Sequence, residues 1–401
     1  MKDLKGYLMH LQKLIKFSLA SILSLPLYLG AEDKSILSED RLNLFKYSEE
    51  QNKENSDKLK KDWVNPVNLT YSKNYGETYD TTKSMVKINQ PIFKSGGIYK
   101  AIKYANASFK YNNLDIKIQK KELIKNVTTL LFNLHIIDLN IQKNELLLKN
   151  ANIDIIRKKE QVLNGFLDTS YLDNAILDAN KVKNALVELQ YQKEEINNNF
   201  SNLASGGYKS FDLPILELTD EKTFLNDNIQ VLKTKADIDQ KDYFKDMTVA
   251  RYLPTLNANM DYTKYHDTDN NPSFSDSTVQ NYGLSITMPL DVRTFNEIEV
   301  QKINYLKAKI DLKNKVLEEK NFYKTKISKI KMINQKKQIA KDDFELYNSL
   351  LDIIIEEKDA ELKTQSDVDT LQNSQKIKSI ELKIYNLEEQ IELLEIYSRI
   401  S

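Results

Sequence analysis

The sequence predicts a mainly helical chain with a small β portion, four strands of the membrane-barrel kind joined to long antiparallel helical hairpins. Two observations predict it. A unit made of a proline-led alternating strand, a hairpin, a second strand ending at proline and a very long helical run occurs twice, from Asn65-Pro66 to Gln90-Pro91 and from Leu253-Pro254 to Met288-Pro289. The helical runs carry apolar residues at alternating steps of four and three, the spacing of helices packed side by side.

The strands come first in the chain. In the second unit Leu256, Ala258, Met260 and Tyr262 share one face against Asn257, Asn259, Asp261 and Thr263, and the return strand sets Tyr282, Leu284, Ile286 and Met288 against Asn281, Gly283, Ser285 and Thr287. The first unit sets Val67, Leu69 and Tyr71 against Asn68, Thr70 and Ser72, then Val86 and Ile88 against Lys87 and Asn89. Segments of about ten residues with apolar-out, polar-in alternation are the signature of a transmembrane barrel around a wet lumen. Two hairpins packed on a soluble core would show the same alternation. The polar hairpin tips, 75–82 and 266–278, are expected outside the cell, with Asp269 as a site for surface labelling.

From about Ile98 to Leu163, and from about Asn296 to Leu362, there is no proline and scarcely any glycine. Each run is long enough to extend on the order of 100 Å as a helix. One ladder is Leu123, Val127, Leu130, Leu134, Ile137, Ile141, and a second is Ile377, Ile380, Ile384, Leu387, Ile391, Leu394. A third, Val182, Leu186, Leu189, Ile196, Phe200, Leu203, misses one step at Lys193. Such stripes are core packing and carry no chemistry. Each long run breaks at a matching place, Asn164-Gly165 before 168–173 and Lys363-Thr364 before 365–369. Both breaks place a Ser (Ser170, Ser366) three residues before an Asp (Asp173, Asp369), read as an N-cap with an acidic first-turn residue that starts the return helix.

Composition narrows the function. Lys plus Arg equals Asp plus Glu at 58 each, so no basic excess recruits nucleic acid. There are no cysteines, which excludes disulfides and thiolate metal sites. Lys2, Lys5, Lys13 and Lys16, the apolar run 17–29 broken by Pro26, and Gly30-Ala31 follow signal-peptide order, so residues 1–31 read as an export signal. An uncleaved anchor is the other reading, although the run is short for a bilayer span. Beyond that segment only His135 and His266 remain, with no phosphate-binding glycine loop and no zinc spacing. No enzyme activity, cofactor or metal is expected.

Pro254-Thr-Leu-Asn opening a strand, Ser285-Ile-Thr-Met-Pro289-Leu closing the hairpin, Asn89-Gln-Pro-Ile-Phe-Lys-Ser-Gly-Gly97 opening a helix, and the two Ser-x-x-Asp turns together resemble the TolC family of outer-membrane channel proteins. The resemblance covers nearly all of the chain after the export signal and keeps the order of parts in both repeats. It implies a homotrimer with a shared twelve-stranded barrel among outer-membrane lipid and a helical tunnel reaching into the periplasm. It also implies partners, a periplasmic adaptor protein docked on the helical tips and an inner-membrane pump of RND, ABC or MFS type. The chain would be the exit duct of a tripartite efflux or type I secretion system. A periplasmic coiled-coil adaptor without a pore is the alternative, although adaptors resemble one hairpin flanked by compact β-domains.

On this reading residues 32–210 form a first structural repeat and 211–401 a second, with 206–218 as the linker between them. The resemblance assigns Asp369, Asp367 and Asp173 to a pore constriction, Asp369 at the family's constricting position, with Gln372 where some members carry a second acid. As plain first-turn acids these three would only favour a helix start. It assigns Gly165, Phe166, Ser170 and Ser366 to the adaptor-contacting tip. Two departures stand out. The helix of 36–61 looks shorter than its counterpart before Pro254, and the tip glycine of Asn164-Gly165-Phe166-Leu167 is replaced in the second repeat by Glu361-Leu362-Lys363.

Overall fold

The computed structural model describes residues 35–77, 80–266 and 277–401. The export segment 1–31 and most of the 266–278 loop, Asp269 included, lie outside the described residues. Residues 36–401 form a single unit.

In chain order the elements are α1 (Glu39–Lys61), β1 (Asn68–Asn74), β2 (Thr81–Phe93), α2 (Gly97–Leu163) and α3 (Thr169–Ser201). A short 3-10 turn (Tyr208–Ser210) and α4 (Glu221–Asn226) follow. Then come α5 (Ile229–Arg251), β3 (Thr255–Tyr265), β4 (Thr278–Thr287), α6 (Thr294–Asp359) and α7 (Gln365–Tyr397). The helix before each strand pair is the same length, 23 residues in α1 and 23 in α5, so the expected shortening of the first is not there.

The strands form one antiparallel sheet in the order β1-β2-β3-β4. Its register confirms the alternation. Leu69 pairs with Val86 and Val86 with Tyr262, Ile88 with Met260 and Met260 with Tyr282, while Ala258 pairs with Leu284 and Leu256 with Ile286. Paired residues share a face, so these side chains make one apolar surface. It is bare: Leu284 is 71% and Ile286 74% exposed. The opposite face is polar and internally bonded. Asn259 Nδ2 donates to Ser285 Oγ at 2.8 Å and Asn257 Nδ2 to Thr287 Oγ1 at 3.2 Å. Pro91 lies in an inner strand where it cannot donate to the ladder, and the register shifts between Pro91 and Phe93.

The two long helices, 67 residues in α2 and 66 in α6, run the length of the helical part. α2 packs against α1 and α5 in its half nearest the sheet and against α3 and α7 in the other, and α6 packs against α5 and then α7. The helices therefore lie in a row, α1-α2-α5-α6 near the sheet and α3-α2-α7-α6 away from it. α1 is stacked end to end on α3, and α5 on α7. At each joint the chain makes an isolated antiparallel bridge, Leu37 with Ala204 and Asn228 with Ile400. Matching backbone bonds hold both, Ser38 N–H to Leu203 O at 2.9 Å and Ile229 N–H to Arg399 O at 2.8 Å.

The two joints hold buried apolar clusters, and they differ in chemistry. The first buries Leu37, Val127, Leu131, Leu134 and Phe200 together, drawing on the ladders read from the sequence. Beside it the missing ladder step is filled by an ion pair, since Lys193 Nζ meets Asp138 Oδ1 at 2.7 Å and the Tyr208 hydroxyl donates to Asp138 Oδ2 at 2.9 Å. The bond to Asp138 raises the Lys193 pKa, against the opposing effect of burial.

The second joint is apolar around Phe224, Tyr323, Ile330, Leu393 and Ile396, with a polar centre beside them. Asn228 is fully buried, accepts from the N–H groups of Gln230 and Val231 at 3.0 Å, and donates Nδ2 to Glu319 Oε2 at 3.0 Å. Arg399 Nη1 donates to both Glu319 oxygens at 2.9 Å, and its guanidinium lies 3.5 Å from the Phe322 ring centroid. Glu319 is 2% exposed, so losing Arg399 leaves a buried carboxylate without its cation. Arg399→Met is expected to destabilise by about 3 to 5 kcal/mol, and Arg399→Met with Glu319→Gln to recover much of that loss. Thermal melts of the two variants check this; a double variant as unstable as the single one would mean the pair is not the cause.

Candidate functional site

The site expected from the sequence is the pair of helical tips farthest from the sheet. α2 ends at Asn164, where Gly165 turns left-handed with φ +74°, its N–H bonding Val162 O at 3.0 Å and the Phe166 N–H bonding Gln161 O at 2.8 Å. This is the Schellman arrangement that closes a helix C-terminus. α6 ends the same way around Glu361, φ +61°, with Glu361 N–H to Lys358 O at 2.9 Å and Leu362 N–H to Glu357 O at 2.8 Å. The tip lost from the second repeat as a glycine signal is thus kept as geometry. Leu362, 74% exposed, holds the place of Phe166, 79% exposed.

The return helices start two residues earlier than the Ser-x-x-Asp spacing suggested. The caps are Asp168, which accepts from the Ser170 N–H at 2.8 Å, and Thr364. Capping needs an extended backbone, which Asp168 and Thr364 have, with ψ of 149° and 162°. Ser170 and Ser366 are already inside the first turn and exposed. Thr364 and Asp367 form a reciprocal capping box, in which Asp367 Oδ2 accepts from Thr364 N–H at 3.0 Å.

Asp367 is therefore committed to structure. Its Oδ1 also takes Arg157 Nη2 of α2 at 2.7 Å. The bonds from Thr364 hold its carboxyl below the usual 3.8, with Arg157 and Lys363 adding to the effect. Asp369 lies half a turn further on, half-buried, bonded only within its own helix by Gln365 Nε2 at 2.8 Å. Asp173 is exposed and holds in α3 the position that Asp369 holds in α7, fifth from the helix start. The subunit brings Asp367 and Asp369 together at one helix start and leaves Asp173 across α2.

Sequence reading missed Arg157, one of five arginines among 58 basic residues. That rarity is the signal it offered, because a guanidinium suits a carboxylate better than an ammonium does. Its neighbour Lys158 attends the other return helix, with Nζ 5.6 Å from the Tyr171 ring centroid. Further from the tip the α2–α7 seam stays polar. Asn373 Nδ2 donates to Asn150 Oδ1 at 2.8 Å, and Asn150 Nδ2 reaches Thr370 O and Ser374 Oγ at 3.3 Å. Lys143 and Glu381 follow at 3.7 Å. Among the described residues no group of His, Cys, Asp or Glu is placed to hold a metal ion.

A non-glycine residue in the left-handed region costs roughly 1 kcal/mol or more. Glu361→Gly is expected to raise stability by about 1 kcal/mol and Gly165→Ala to lower it by a similar amount, as read by thermal melting. Two shifts of the same sign would contradict the shared tip geometry.

No family model matches the sequence, and no curated protein matches it. Solved structures do. The Campylobacter jejuni CmeC outer membrane channel is similar at 14% identity with a TM-score of 0.72, over 91% of this chain and 83% of that one. The outer membrane protein VceC of Vibrio cholerae gives 13% and 0.71, over 90% and 93%. The open state of the Neisseria gonorrhoeae MtrE outer membrane channel gives 11% and 0.67, over 89% and 85%. At such identities the likeness is one of fold, and it runs from the strands to the helical tips: the chain has the TolC-like fold of outer-membrane channels.

Proposed function

We propose that the chain is the outer-membrane exit duct of a tripartite export system, a homotrimer passing small molecules or proteins from an inner-membrane pump through the periplasm to the outside. The observation that carries this reading is the four-stranded sheet, apolar and bare on one face, polar on the other, and open at both edges. A lipid-facing sheet cannot leave backbone groups unpaired in the bilayer, so β4 of one copy must pair with β1 of another until the barrel closes. Three copies give twelve strands, within the even-numbered range of such barrels. Among the described residues no helix is long and apolar enough to cross a membrane.

The tips would form the periplasmic entrance and the surface for an adaptor, through Phe166, Leu362 and the exposed Ser170 and Ser366. Asp369 is the acid best suited to a constriction ring, because Asp367 is held by Thr364 and Arg157. Asp173 would stand on a neighbouring helix of the same mouth.

Leu284→Arg or Ile286→Arg sets a charge against lipid and is expected to cost about 2 to 4 kcal/mol near the bilayer midplane, whereas Ser285→Arg faces the lumen and is tolerated. The amount of assembled protein in the outer-membrane fraction reports this, and equal loss from all three would take the strands out of the membrane.

Three Asp369 carboxylates at a narrow mouth favour cations. Purified Asp369→Asn channels in a planar bilayer should lose cation selectivity and block by divalent ions while keeping a pore. Unchanged selectivity would remove Asp369 from the constriction.

A further inference from the structure

Resting on that reading, we infer that neighbouring copies are locked by an antiparallel α1–α6 seam whose charges reverse sign at one height, with Lys302 and Lys313 of one copy facing Glu54 and Asp40 of the next. α1 leads into β1, and α6 follows from β4. Pairing β4 with a second copy's β1 therefore brings α6 alongside that copy's α1, pointing the opposite way. In a single subunit the two helices are the outer members of the row, with α2 and α5 between them.

The height of the seam follows from the linkers. α1 ends at Lys61, seven residues before β1, and α6 starts at Thr294, seven residues after β4. With these ends level, residues descend both helices at the same rise of about 1.5 Å per residue. Lys302 then lies within a residue of the level of Glu54, and Leu306 and Ile310 lie level with the stretch from Glu50 to Leu44. Lys313 comes within a turn of Asp40, and Glu299 within a turn of Lys58.

The outward stripes suit this register. On α1, Asp40, Tyr47, Glu50, Glu54, Lys58 and Lys61 follow at helical steps of three, four or seven and are all exposed. On α6, Glu299, Ile303, Leu306, Ile310, Lys313 and Leu317 do the same, flanked by Lys302 and Lys309. Apolar residues sit at the centre, Tyr47 at 62% exposure on one stripe and Ile310 at 56% on the other. Both stripes change sign, between Glu54 and Lys58 on α1 and between Lys302 and Glu299 on α6. These two changes fall within about two residues of one height, with Lys46 and Lys53 of α1 flanking its stripe as Lys302 and Lys309 flank that of α6. Among the described residues Asp40, Glu50, Glu54 and Lys313 form no ion pair, and Lys302 meets only Glu299 of its own helix at 3.3 Å. Apolar contact flanked by opposite charges is the arrangement that sets partner and register between helices.

The chain has no cysteine, so the seam can be read directly by crosslinking. Purified full-length Glu54→Cys/Lys302→Cys protein, oxidised in detergent, should give covalent dimers and trimers, while each single variant stays uncrosslinked. Asp40→Cys/Lys313→Cys should do the same, and Glu54→Cys/Lys313→Cys, displaced along the seam by about 18 Å, should not. Native mass spectrometry of the unmodified protein is the companion measurement. A trimer whose matched pairs fail to crosslink, or crosslink no better than the displaced pair, overturns the seam and leaves the channel reading standing. A monomer under the same conditions overturns the channel reading itself.

Discussion

The pairing of β2 with β3 is the constraint on which the rest of the structure hangs. It is the one sheet contact between the two repeats, running from Lys83 against Tyr265 to Phe93 against Leu256. Because α2 starts just after β2 and α5 ends just before β3, the ladder delivers these helices side by side and antiparallel. Their approach is close: a Cβ on Gly97 would come within 3.1 Å of the Ala250 Cβ. Glycine is needed there for the absence of a side chain, since the positive φ in that turn belongs to Ser95 and Gly96. Lys100 and Asp246 then pair across the same interface at 2.6 Å. Where the sheet sets helix order, the ladders on α2 and α7 preserve it to the far end.

The two repeats solve the same joint in different ways. Each must stack a short helix on a longer one without leaving the free ends of either backbone buried and unbonded. In the first repeat the flanking strand residues satisfy the backbone and Leu37 fills the space with apolar volume. In the second, Asn228 stands at the bridge, caps α5 and draws in Glu319 and Arg399. The apolar solution tolerates small shifts between neighbours. The polar one fixes position, because the guanidinium must meet both carboxylate oxygens and the Phe322 face at once.

The sheet and the helical ladders were legible in the sequence because each depends on a period. Leu284 and Ile286 alternate with polar residues whatever surrounds them, and Ile377, Ile380 and Ile384 keep their spacing along any coiled seam. What escaped was decided by contacts between distant segments or by single backbone angles. Lys193 looked like a fault in a ladder until Asp138 and Tyr208 were found beside it. Glu361 gave no sign that it takes the left-handed turn of Gly165, since nothing in its neighbours demands that angle. The caps were displaced by two residues because Ser-x-x-Asp and Thr364-x-x-Asp367 overlap, and spacing does not say which backbone is extended. Of the candidate site, the acids were legible as types and positions, but the role of Asp367 depended on Arg157, 210 residues away in the chain. The charge on α1 belongs to an ordered helix whose exposed edge is striped.

The seam between α2 and α7 near the tips has a consequence for how the molecule responds to water. Within the first hairpin, parting the helices would expose Val127, Leu131, Leu134 and Phe200, a change that water opposes, while in the second Lys337–Glu389 and Lys378–Asp343 also cross between α6 and α7. Between the hairpins, parting Asn150 from Asn373 and Arg157 from Asp367 frees amides and charges that water can bond nearly as well as the protein does. The exchange is close to balanced, so small forces decide it. At the tips the two hairpins are thus joined by amides and charges whose bonds water can replace.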